Sequence, residues 1–405
     1  MNPTIELENR YCARNYLPLP VVLTRGEGVY VWDDAGNRYL DMMSAYSAVS
    51  HGHAHPRLVK TLQQQAAQLA ICSRAFHTDR LGPFLKKVCE LTGQDMALPM
   101  NTGAEAVETA LKAARKWAYK VKGVPADRAE IIACTGNFHG RTIAIVAMSS
   151  DAQYKDGFGP FPGGLKLVPY GDAAALEAAI TPNTAAFLVE PIQGEGGIII
   201  PPAGYLKKAA ELCKKHNVLL ICDEIQTGLG RTGKLLACEH ETVKPDGLIL
   251  GKALGGGLLP VSMFLARREV MDVFAPGDHG STFGGNPLAA AVGLEALNVL
   301  VEDKLAERSA ELGAYLLDKL HTLKSPLIRD LRGKGLFIGV EIDPAQARAR
   351  DVCEHLMPHG ILSKETHDTV VRLAPPLVIT REQIDRAVER IALVLKEMGK
   401  QRVAG

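Results

Sequence analysis

Short apolar runs alternate with stretches of helical periodicity between about residues 45 and 300. The runs at 130–134, 185–189, 218–222 and 247–250 have the length and composition of buried strands. Strands that alternate with helices are typical of an α/β fold with a mostly parallel sheet. In such sheets a ligand binds beyond the carboxyl ends of the strands, so the residues that follow these runs are candidates for chemistry.

The two ends of the chain follow a different pattern. A turn-forming stretch at 33–37 separates two apolar stretches, which predicts a β-hairpin. Near the C-terminal end, further apolar runs predict strands at 335–342 and 370–374. Thr380 and Gln383 then form a capping-box pattern, which predicts the start of a terminal amphipathic helix.

Length and pattern together predict more than one domain. A chain of 405 residues exceeds the usual size of a single domain. We expect a large α/β domain at 45–300 and a small α+β domain at 301–405. The remaining segment, 1–44, is expected to pack with the small domain.

Composition limits the kinds of partner. Hydrophobic residues make up 47% of the chain and charged residues 22%, values that are typical of a soluble globular protein. The net charge of +1 gives no electrostatic reason to expect nucleic acid or an anionic membrane as a partner. No apolar segment is long enough to span a bilayer, the N-terminal residues do not have a signal-peptide pattern, and the eight cysteines form no CxxC pair. These features predict a cytoplasmic protein.

One lysine stands at the end of a predicted buried strand. Lys252 follows the run 247–250 and precedes a glycine-rich turn, and Asp223 follows the run 218–222 in the same way. Burial lowers the pKa of a lysine ammonium, and the neutral amine is a nucleophile. A lysine that bonds to an aldehyde and a carboxylate that keeps a pyridine nitrogen protonated are the pair that pyridoxal phosphate requires. We therefore predict this cofactor, with Lys252 and Asp223 as catalytic residues, although a solvated lysine and a helix-capping aspartate would each be unremarkable alone.

A second segment suits a phosphate group. Thr102 and Glu105 form a capping box, and apolar residues at helical spacing follow. Gly103 and Ala104 would present backbone N–H groups at the helix N-terminus, where the helix dipole favours a phosphate. The alternative is a capped helix without a ligand, but the lysine and aspartate in the same chain favour the phosphate role.

The glycine-rich segment 228–234 suggests a nucleotide site, which is the alternative from another functional class. It contains GxGxxG and nearly matches a Walker A loop, but Leu235 stands where a serine or threonine would bind magnesium. The GxGxxG match is also separated from the preceding strand, and no capped helix follows it. A nucleotide site would give no visible absorbance, so the spectrum of the purified protein distinguishes the two interpretations.

Three closely spaced histidines suggest a metal site. His51, His53 and His55 have no carboxylate or cysteine within the cluster to complete a set of ligands. We expect a turn that leads into a helix near Pro56, and we expect no metal.

Several blocks of residues resemble those of the class III aminotransferases, which are pyridoxal-phosphate enzymes of fold type I. The resemblance extends over essentially the whole chain, and its blocks lie at 14–20, 44–49, 100–103, 136–142, 190–195, 223–228, 251–254, 279–287 and 372–376. The blocks around Asp223 and Lys252 mark the family, and those around Tyr16, Tyr46 and Arg141 resemble members that act on ornithine. The resemblance implies a large domain with a mostly parallel seven-stranded sheet flanked by helices, and a smaller α+β domain formed by the C-terminal part and the N-terminal segment.

The resemblance also implies roles for the residues around the cofactor ring. Lys252 would hold the cofactor and transfer a proton between substrate and cofactor, and Asp223 would pair with the pyridinium nitrogen. Phe138 and Ile225 would pack on opposite faces of the ring, and Gln226 would bind the ring hydroxyl.

The phosphate end involves a second subunit in this resemblance. Backbone N–H groups of Gly103 and Ala104 would bind the phosphate, and Thr282 would reach it from the partner subunit, so a homodimer is expected. His139 stands where some members carry tryptophan. It is expected near the cofactor, where it could contact the phosphate region or fill space.

The two substrates are expected to use different arginines. Ornithine reacts through its side-chain amine, so Arg141 would hold its α-carboxylate away from the cofactor through two parallel hydrogen bonds. Tyr16 and Tyr46 would lie at the α-ammonium end. Arg372 would bind the α-carboxylate of 2-oxoglutarate or glutamate, and Glu195 would pair with Arg372 while ornithine is bound.

Related activities are the nearest alternatives. Acetylornithine has an uncharged α-nitrogen and 4-aminobutyrate has no α-amine, so tyrosines at both 16 and 46 favour free ornithine. An aminomutase, which moves an amine within one substrate, would need no switch between Glu195 and Arg372.

Overall fold

A computed structural model describes residues 2–403, with side chains as far as residue 400. Strands in three sheets form its framework, namely β1 (Leu23–Glu27), β2 (Tyr30–Asp33), β3 (Arg38–Asp41), β4 (Met96–Met100), β5 (Glu130–Cys134), β6 (Leu165–Val168), β7 (Thr184–Val189), β8 (Leu219–Asp223), β9 (Gly247–Leu250), β10 (Ser262–Ala266), β11 (Ile328–Lys334), β12 (Phe337–Ile342), β13 (Ile361–Leu362), β14 (Glu365–Thr366) and β15 (Val370–Leu373). The α-helices span Pro3–Tyr11, Pro56–Gln68, Leu81–Thr92, Gly103–Trp117, Ile143–Val146, Ala173–Ala179, Tyr205–Lys215, Arg268–Met271, Pro287–Glu302, Leu305–His321, Ala349–Leu356 and Arg381–Val403.

The central sheet has seven strands in the order β4-β10-β9-β8-β7-β5-β6. Strand β10 runs antiparallel to both of its neighbours, and the other pairs are parallel. The expected α/β fold with a mostly parallel seven-stranded sheet is therefore confirmed. The four apolar runs singled out in the sequence became β5, β7, β8 and β9.

Helices cover both faces of this sheet. Every residue of β7, β8, β9 and β10 is buried. Successive residues of a strand point to opposite faces, so Leu219 and Ile221 pack with the helix Gly103–Trp117 while Leu220 and Cys222 join the larger core on the other face. Burial on both faces explains why these strands are continuous apolar runs instead of alternating patterns.

The predicted N-terminal hairpin is present as β2 and β3, which pair antiparallel. Strand β1 extends this sheet on one side, and the C-terminal strand β13 pairs in parallel with β3 on the other. The N-terminal segment thus shares a sheet with a strand that lies more than three hundred residues later in the chain. The division of the chain at residues 44 and 300 stays a prediction.

The third sheet has the order β11-β12-β15-β14 and is antiparallel. It contains the two strands expected near the C-terminal end. The capping box there is also present, because Thr380 Oγ1 accepts from the Gln383 N–H at 3.3 Å and Gln383 Oε1 accepts from the Thr380 N–H at 2.9 Å. In the part of the chain that the structure describes, the helices include none with the length and apolar character to cross a membrane.

The glycine-rich segment 228–234 has a structural role, because it connects distant parts of the chain through hydrogen bonds. Its Arg231 is completely buried and donates to the backbone oxygens of Leu336 and Pro375 at 2.9 and 2.6 Å, and to Ser50 Oγ at 2.9 Å. The segment therefore joins the N-terminal, central and C-terminal parts of the fold, and its glycines allow tight turns in place of a phosphate loop.

Candidate active site

The candidate site lies where two adjacent parallel strands end. Asp223 is the last residue of β8 and pairs with Ile249 of β9, and Lys252 follows β9 by two residues. Both side chains line a cavity of about 210 Å³, whose walls also include Gly103, Ala104, Phe138, His139, Gly140, Glu190, Ile225, Gln226 and Thr227. The structure therefore brings together eight of the nine residues that the sequence placed around the cofactor.

Asp223 is held by two partners. Its Oδ2 lies 2.7 Å from His139 Nδ1, and its Oδ1 accepts from the Ile225 N–H at 3.1 Å. Burial alone would lower the pKa of His139, but the Asp223 carboxylate outweighs burial and raises it. His139 Nε2 is buried without a hydrogen-bond partner. His139 thus orients Asp223, a contact that the sequence did not predict.

The pKa of Lys252 is lowered, as expected for a catalytic amine. Burial in the cavity is the main cause, the charge of Glu195 opposes it, and the charge of Arg372 adds to it. The Lys252 backbone has a φ of 45°, in the left-handed region that non-glycine residues seldom adopt. Such strain is concentrated at functional sites, where the surrounding structure holds it in place.

The helix Gly103–Trp117 points its N-terminus at the cavity. Thr102 and Glu105 form the expected capping box. Thr102 Oγ1 therefore occupies the N–H of Glu105, while the N–H groups of Gly103 and Ala104 have no partner within the helix. A Cβ at position 103 would lie 3.0 Å from Ile225 Cδ1, so glycine lets Ile225 pack closely over the helix start.

The Gln226 side chain packs directly against the backbone of Gly194. A Cβ at Gly194 would lie 1.6 Å from Gln226 Oε1, so no other residue fits there without moving Gln226. In this position Gln226 Nε2 donates to Glu195 Oε1 at 3.2 Å and to the Tyr46 backbone oxygen at 3.4 Å. Gln226 therefore links the cavity to the residues expected to bind substrate.

Glu195 and Arg372 form an ion pair beside the cavity. Arg372 Nη1 lies 2.8 Å from Glu195 Oε1, and the Arg372 side chain is 2% exposed. Burial would raise the pKa of Glu195, but Arg372 outweighs it and lowers that pKa to about 2. Arg372 Nε is buried without a hydrogen-bond partner, so the guanidinium retains a donor for a further acceptor.

Tyr46 lies on an unusual left-handed turn, Ser44–Ser47, in which all four residues have φ between 43° and 73°. Each such residue costs about 1–2 kcal/mol, so the turn needs support. Asp41 Oδ1 accepts from the Ser44 N–H at 2.8 Å, and Ser44 Oγ donates to the Ala374 backbone oxygen at 2.6 Å. The turn sets Tyr46 against Arg372, whose Cζ lies 5.1 Å from the centre of the tyrosine ring.

Arg141 is held by aromatic rings. Its Cζ lies 3.6 Å from the centre of the Tyr154 ring and 5.4 Å from that of Phe138. The ion pairs of the described residues do not include Arg141. Its guanidinium edge is therefore open to a carboxylate.

Tyr16 and Thr282 are both exposed in this single chain. Tyr16 is 73% exposed, although it is close enough to Tyr46 to contribute to the raised pKa of that phenol, which burial mainly causes. Thr282 is exposed, and the neighbouring Ser281 Oγ accepts from Asn101 Nδ2 at 2.8 Å. The cavity described above includes neither residue.

Two residues of the site were not assigned from the sequence. Glu190 is buried, accepts from the N–H groups of Phe138 and Gly194 at 2.8 and 3.1 Å, and has a pKa that burial raises to about 7. Its position directly after β7, a buried parallel strand, was a usable signal. Tyr154 belongs to a polar turn without a motif, so only the fold reveals its contact with Arg141.

The histidine cluster leads into the helix at Pro56, as expected. His51 Nε2 lies 2.9 Å from the Ala296 backbone oxygen, and His53 Nε2 lies 2.8 Å from Asp41 Oδ2. Among the residues that the structure describes, no cluster of three or more histidine, cysteine, aspartate or glutamate side chains could hold a metal ion.

Comparison with known proteins agrees with this arrangement. The chain is 61% identical over 390 residues to the ornithine aminotransferase of Geobacillus sp. (strain WCH70), covering 96% of this chain and 97% of that one. A structure of ornithine aminotransferase from Toxoplasma gondii, described as having partial occupancy of PLP at its active site, superposes with a TM-score of 0.97 at 49% identity, over 98% of this chain and 95% of that one.

A relative with another name is also similar. The acetylornithine aminotransferase of Elizabethkingia anophelis is 50% identical and superposes with a TM-score of 0.88, over 97% of this chain and 98% of that one. The model of the family Aminotransferase class-III matches residues 11–395. The chain therefore belongs to the class III aminotransferases.

Proposed function

We propose that this protein is a pyridoxal-phosphate-dependent ornithine aminotransferase. It transfers the side-chain amine of L-ornithine to 2-oxoglutarate, which gives glutamate and glutamate 5-semialdehyde, and the semialdehyde cyclises to pyrroline-5-carboxylate. The observation that carries the proposal is the contrast between the two arginines of the site. Glu195 forms an ion pair with Arg372, whereas Arg141 lies over aromatic rings and its guanidinium can still bind a carboxylate. The relatives named ornithine aminotransferase support the same substrate.

The residues of the cavity suit pyridoxal phosphate. Gly103 and Ala104 offer free N–H groups at a helix N-terminus for the phosphate, and Asp223 offers a buried carboxylate for the ring nitrogen. Phe138 and Ile225 offer apolar surfaces for the two ring faces. When bound, the cofactor supplies an aldehyde that takes up amines and a ring that withdraws electrons.

Lys252 is the proposed base. The lowered pKa of its amine favours the neutral form, which can bond to an aldehyde or accept a proton. His139 and the Ile225 N–H hold the two oxygens of Asp223, so its carboxylate is fixed in the position proposed for the ring nitrogen.

The substrate residues act by orientation. Arg141 binds the α-carboxylate of ornithine, and Tyr16 and Tyr46 lie at its α-ammonium end, so the side-chain amine is the end directed at Lys252. During this half-reaction Glu195 covers Arg372, which removes a competing carboxylate site. In the second half-reaction Glu195 moves away, and Arg372 binds the α-carboxylate of 2-oxoglutarate or glutamate.

We also propose a homodimer in which Thr282 of each subunit completes the phosphate site of its partner. The exposure of Thr282 in a single chain, on a loop beside the N-terminus of the helix Gly103–Trp117, supports this arrangement. The proposed location is the cytoplasm, and the proposed domain division remains 1–44, 45–300 and 301–405.

A substrate comparison tests the proposed activity. Purified protein with cofactor is incubated with 2-oxoglutarate and either L-ornithine, N-acetylornithine or 4-aminobutyrate, and glutamate formation is measured. We expect the highest kcat/KM with ornithine, together with trapping of the cyclised product by an aldehyde reagent. A higher kcat/KM with N-acetylornithine would instead support the activity named for the Elizabethkingia relative.

A further inference from the structure

The Tyr154 ring packs against the guanidinium of Arg141. The Arg141 Cζ lies 3.6 Å from the centre of the tyrosine ring, so the guanidinium lies over the face of the phenol. The Phe138 ring meets Tyr154 edge-on, with ring centres 6.2 Å apart and planes at 83°. Tyr154 thus contacts Arg141, which is proposed to bind the substrate carboxylate, and Phe138, which is proposed to pack on one face of the cofactor ring.

The turn that carries Tyr154 is fixed at several points. Asp151 Oδ1 accepts from the Gln153 N–H at 2.8 Å, and the Asp156 N–H donates to the Ala152 backbone oxygen at 3.0 Å. Just before the turn, Ser150 Oγ accepts from the Gly136 N–H at 2.8 Å, which ties it to the loop that carries Phe138. The Tyr154 ring is therefore positioned by the backbone and does not depend on Arg141 for its place.

Stacking and ion pairing leave an arginine in different states. A carboxylate partner occupies the N–H edge of the guanidinium and neutralises its charge, as Glu195 does for Arg372. An aromatic face stabilises the charge from above and leaves the five N–H donors of the edge unoccupied. Arg141 is in the second state and remains able to form two parallel hydrogen bonds with a carboxylate.

The surroundings of Tyr154 agree with a role beside a charged ligand. Tyr154 lines a small cavity of about 120 Å³ together with Phe138, Asp151, Glu195 and His367. Burial raises the pKa of its phenol, Arg141 lowers it, and Asp151 and Glu195 raise it further, so the ring carries no charge of its own at neutral pH. A neutral ring can hold Arg141 without competing with the substrate for it.

We propose that Tyr154 is a positioning residue for specificity, which holds Arg141 open so that it can bind the carboxylate of an ω-amino acid substrate. This inference rests on the proposed function and deepens it. Tyr154 itself need not touch the substrate, and its effect is confined to substrates that present a carboxylate to Arg141.

Substrates with and without a carboxylate provide the test. In Tyr154→Leu, kcat/KM for ornithine and for 5-aminopentanoate should fall about tenfold, mainly through KM, a change equivalent to about 1.4 kcal/mol. The value for 1,4-diaminobutane, which has amines but no carboxylate, should not change. The KM for 2-oxoglutarate should also stay constant, because Arg372 is its proposed ligand.

Two further variants separate stacking from general packing. Tyr154→Phe keeps the ring and should recover most of the loss. Tyr315→Leu is a matched control, because Arg381 stacks on Tyr315 at 4.6 Å and that pair lies outside the site. Tyr315→Leu should leave the kinetic constants for ornithine, 5-aminopentanoate, 1,4-diaminobutane and 2-oxoglutarate unchanged. If Tyr154→Leu does not fold, Tyr154→Met is used with the same expectations.

Two results would overturn the inference. One is an equal loss for 1,4-diaminobutane, which would mean that Tyr154 supports the whole site through Phe138. The other is an unchanged kcat/KM for both carboxylate substrates, which would mean that Arg141 needs no stacking partner. Failure of the parent enzyme with ornithine alone would refute the proposed function only, since 5-aminopentanoate still decides the role of Tyr154.

Discussion

Replacing Glu195 with glutamine should shift the enzyme's preference from the ornithine half-reaction toward the glutamate half-reaction. Glutamine keeps the size of the side chain but removes the charge that lies 2.8 Å from Arg372 Nη1. The Glu195 pKa is lowered from 4.5 to about 2, and this shift corresponds to about 3 kcal/mol at 1.36 kcal/mol per pKa unit. That net shift already includes the opposing effect of burial, so it gives only the order of magnitude of the free energy needed to separate Glu195 from Arg372 when the substrate glutamate binds.

The expected kinetic effect follows from this magnitude. In Glu195→Gln, the ratio of kcat/KM for the α-amine of glutamate to that for the side-chain amine of ornithine should rise by about tenfold or more. A free energy of about 3 kcal/mol corresponds to roughly a hundredfold. Single-turnover absorbance measurements on the cofactor-loaded enzyme follow each half-reaction separately.

Stability gives an independent readout of the same pair. A buried arginine without its partner is expected to cost about 3–5 kcal/mol of unfolding free energy at neutral pH. Because the folded pKa of Glu195 is depressed, its contribution is complete above pH 4.5 and is lost as the pH falls toward 2. The difference in stability between parent and Glu195→Gln should therefore shrink through that acidic range, and 2-oxoglutarate should stabilise the variant more than the parent.

A matched control uses Glu295, which pairs with Arg57 at 2.6 Å away from the cavity. Glu295→Gln should leave the ratio between the two half-reactions unchanged. Equal losses in both half-reactions of Glu195→Gln would mean that the ion pair is only structural, and the reasoning about a covered arginine would be refuted.

Three other changes test separate parts of the site. Lys252→Ala should abolish turnover and the visible absorbance band of the cofactor bonded to this lysine, and retained activity would contradict the assignment of the base. Gly194→Ala should displace Gln226, whose Oε1 would lie 1.6 Å from the new Cβ; with a cost of about 1–3 kcal/mol for overpacking, both the unfolding temperature and cofactor retention on dialysis should fall. Tyr46→Ile should lower kcat/KM for ornithine relative to 4-aminobutyrate, and an unchanged ratio would remove Tyr46 from the explanation of specificity.

The origin of the strained turn Ser44–Ser47 could not be inferred from the sequence. Its residues Ser, Ala, Tyr and Ser have no local reason to adopt positive φ. The support comes from Asp41, from Ala374 and from Arg231, whose Nη2 lies 3.2 Å from Ser44 Oγ. These contacts join residues far apart in the chain, so a pattern within one segment carries no sign of them.

The apolar runs along the chain determined the strands β5, β7, β8 and β9, because burial on both faces demands continuous hydrophobic residues. They also placed Asp223 and Lys252 at strand ends, and the Thr102 capping box fixed the start of the phosphate-facing helix through interactions within four residues. The pairing of Glu195 with Arg372 was expected from the family resemblance, whereas the tertiary structure alone decided that Tyr154 supports Arg141 and that His139 orients Asp223. Each of these is a contact between side chains from separate segments, and such contacts depend on how the sheet and its loops are assembled in space.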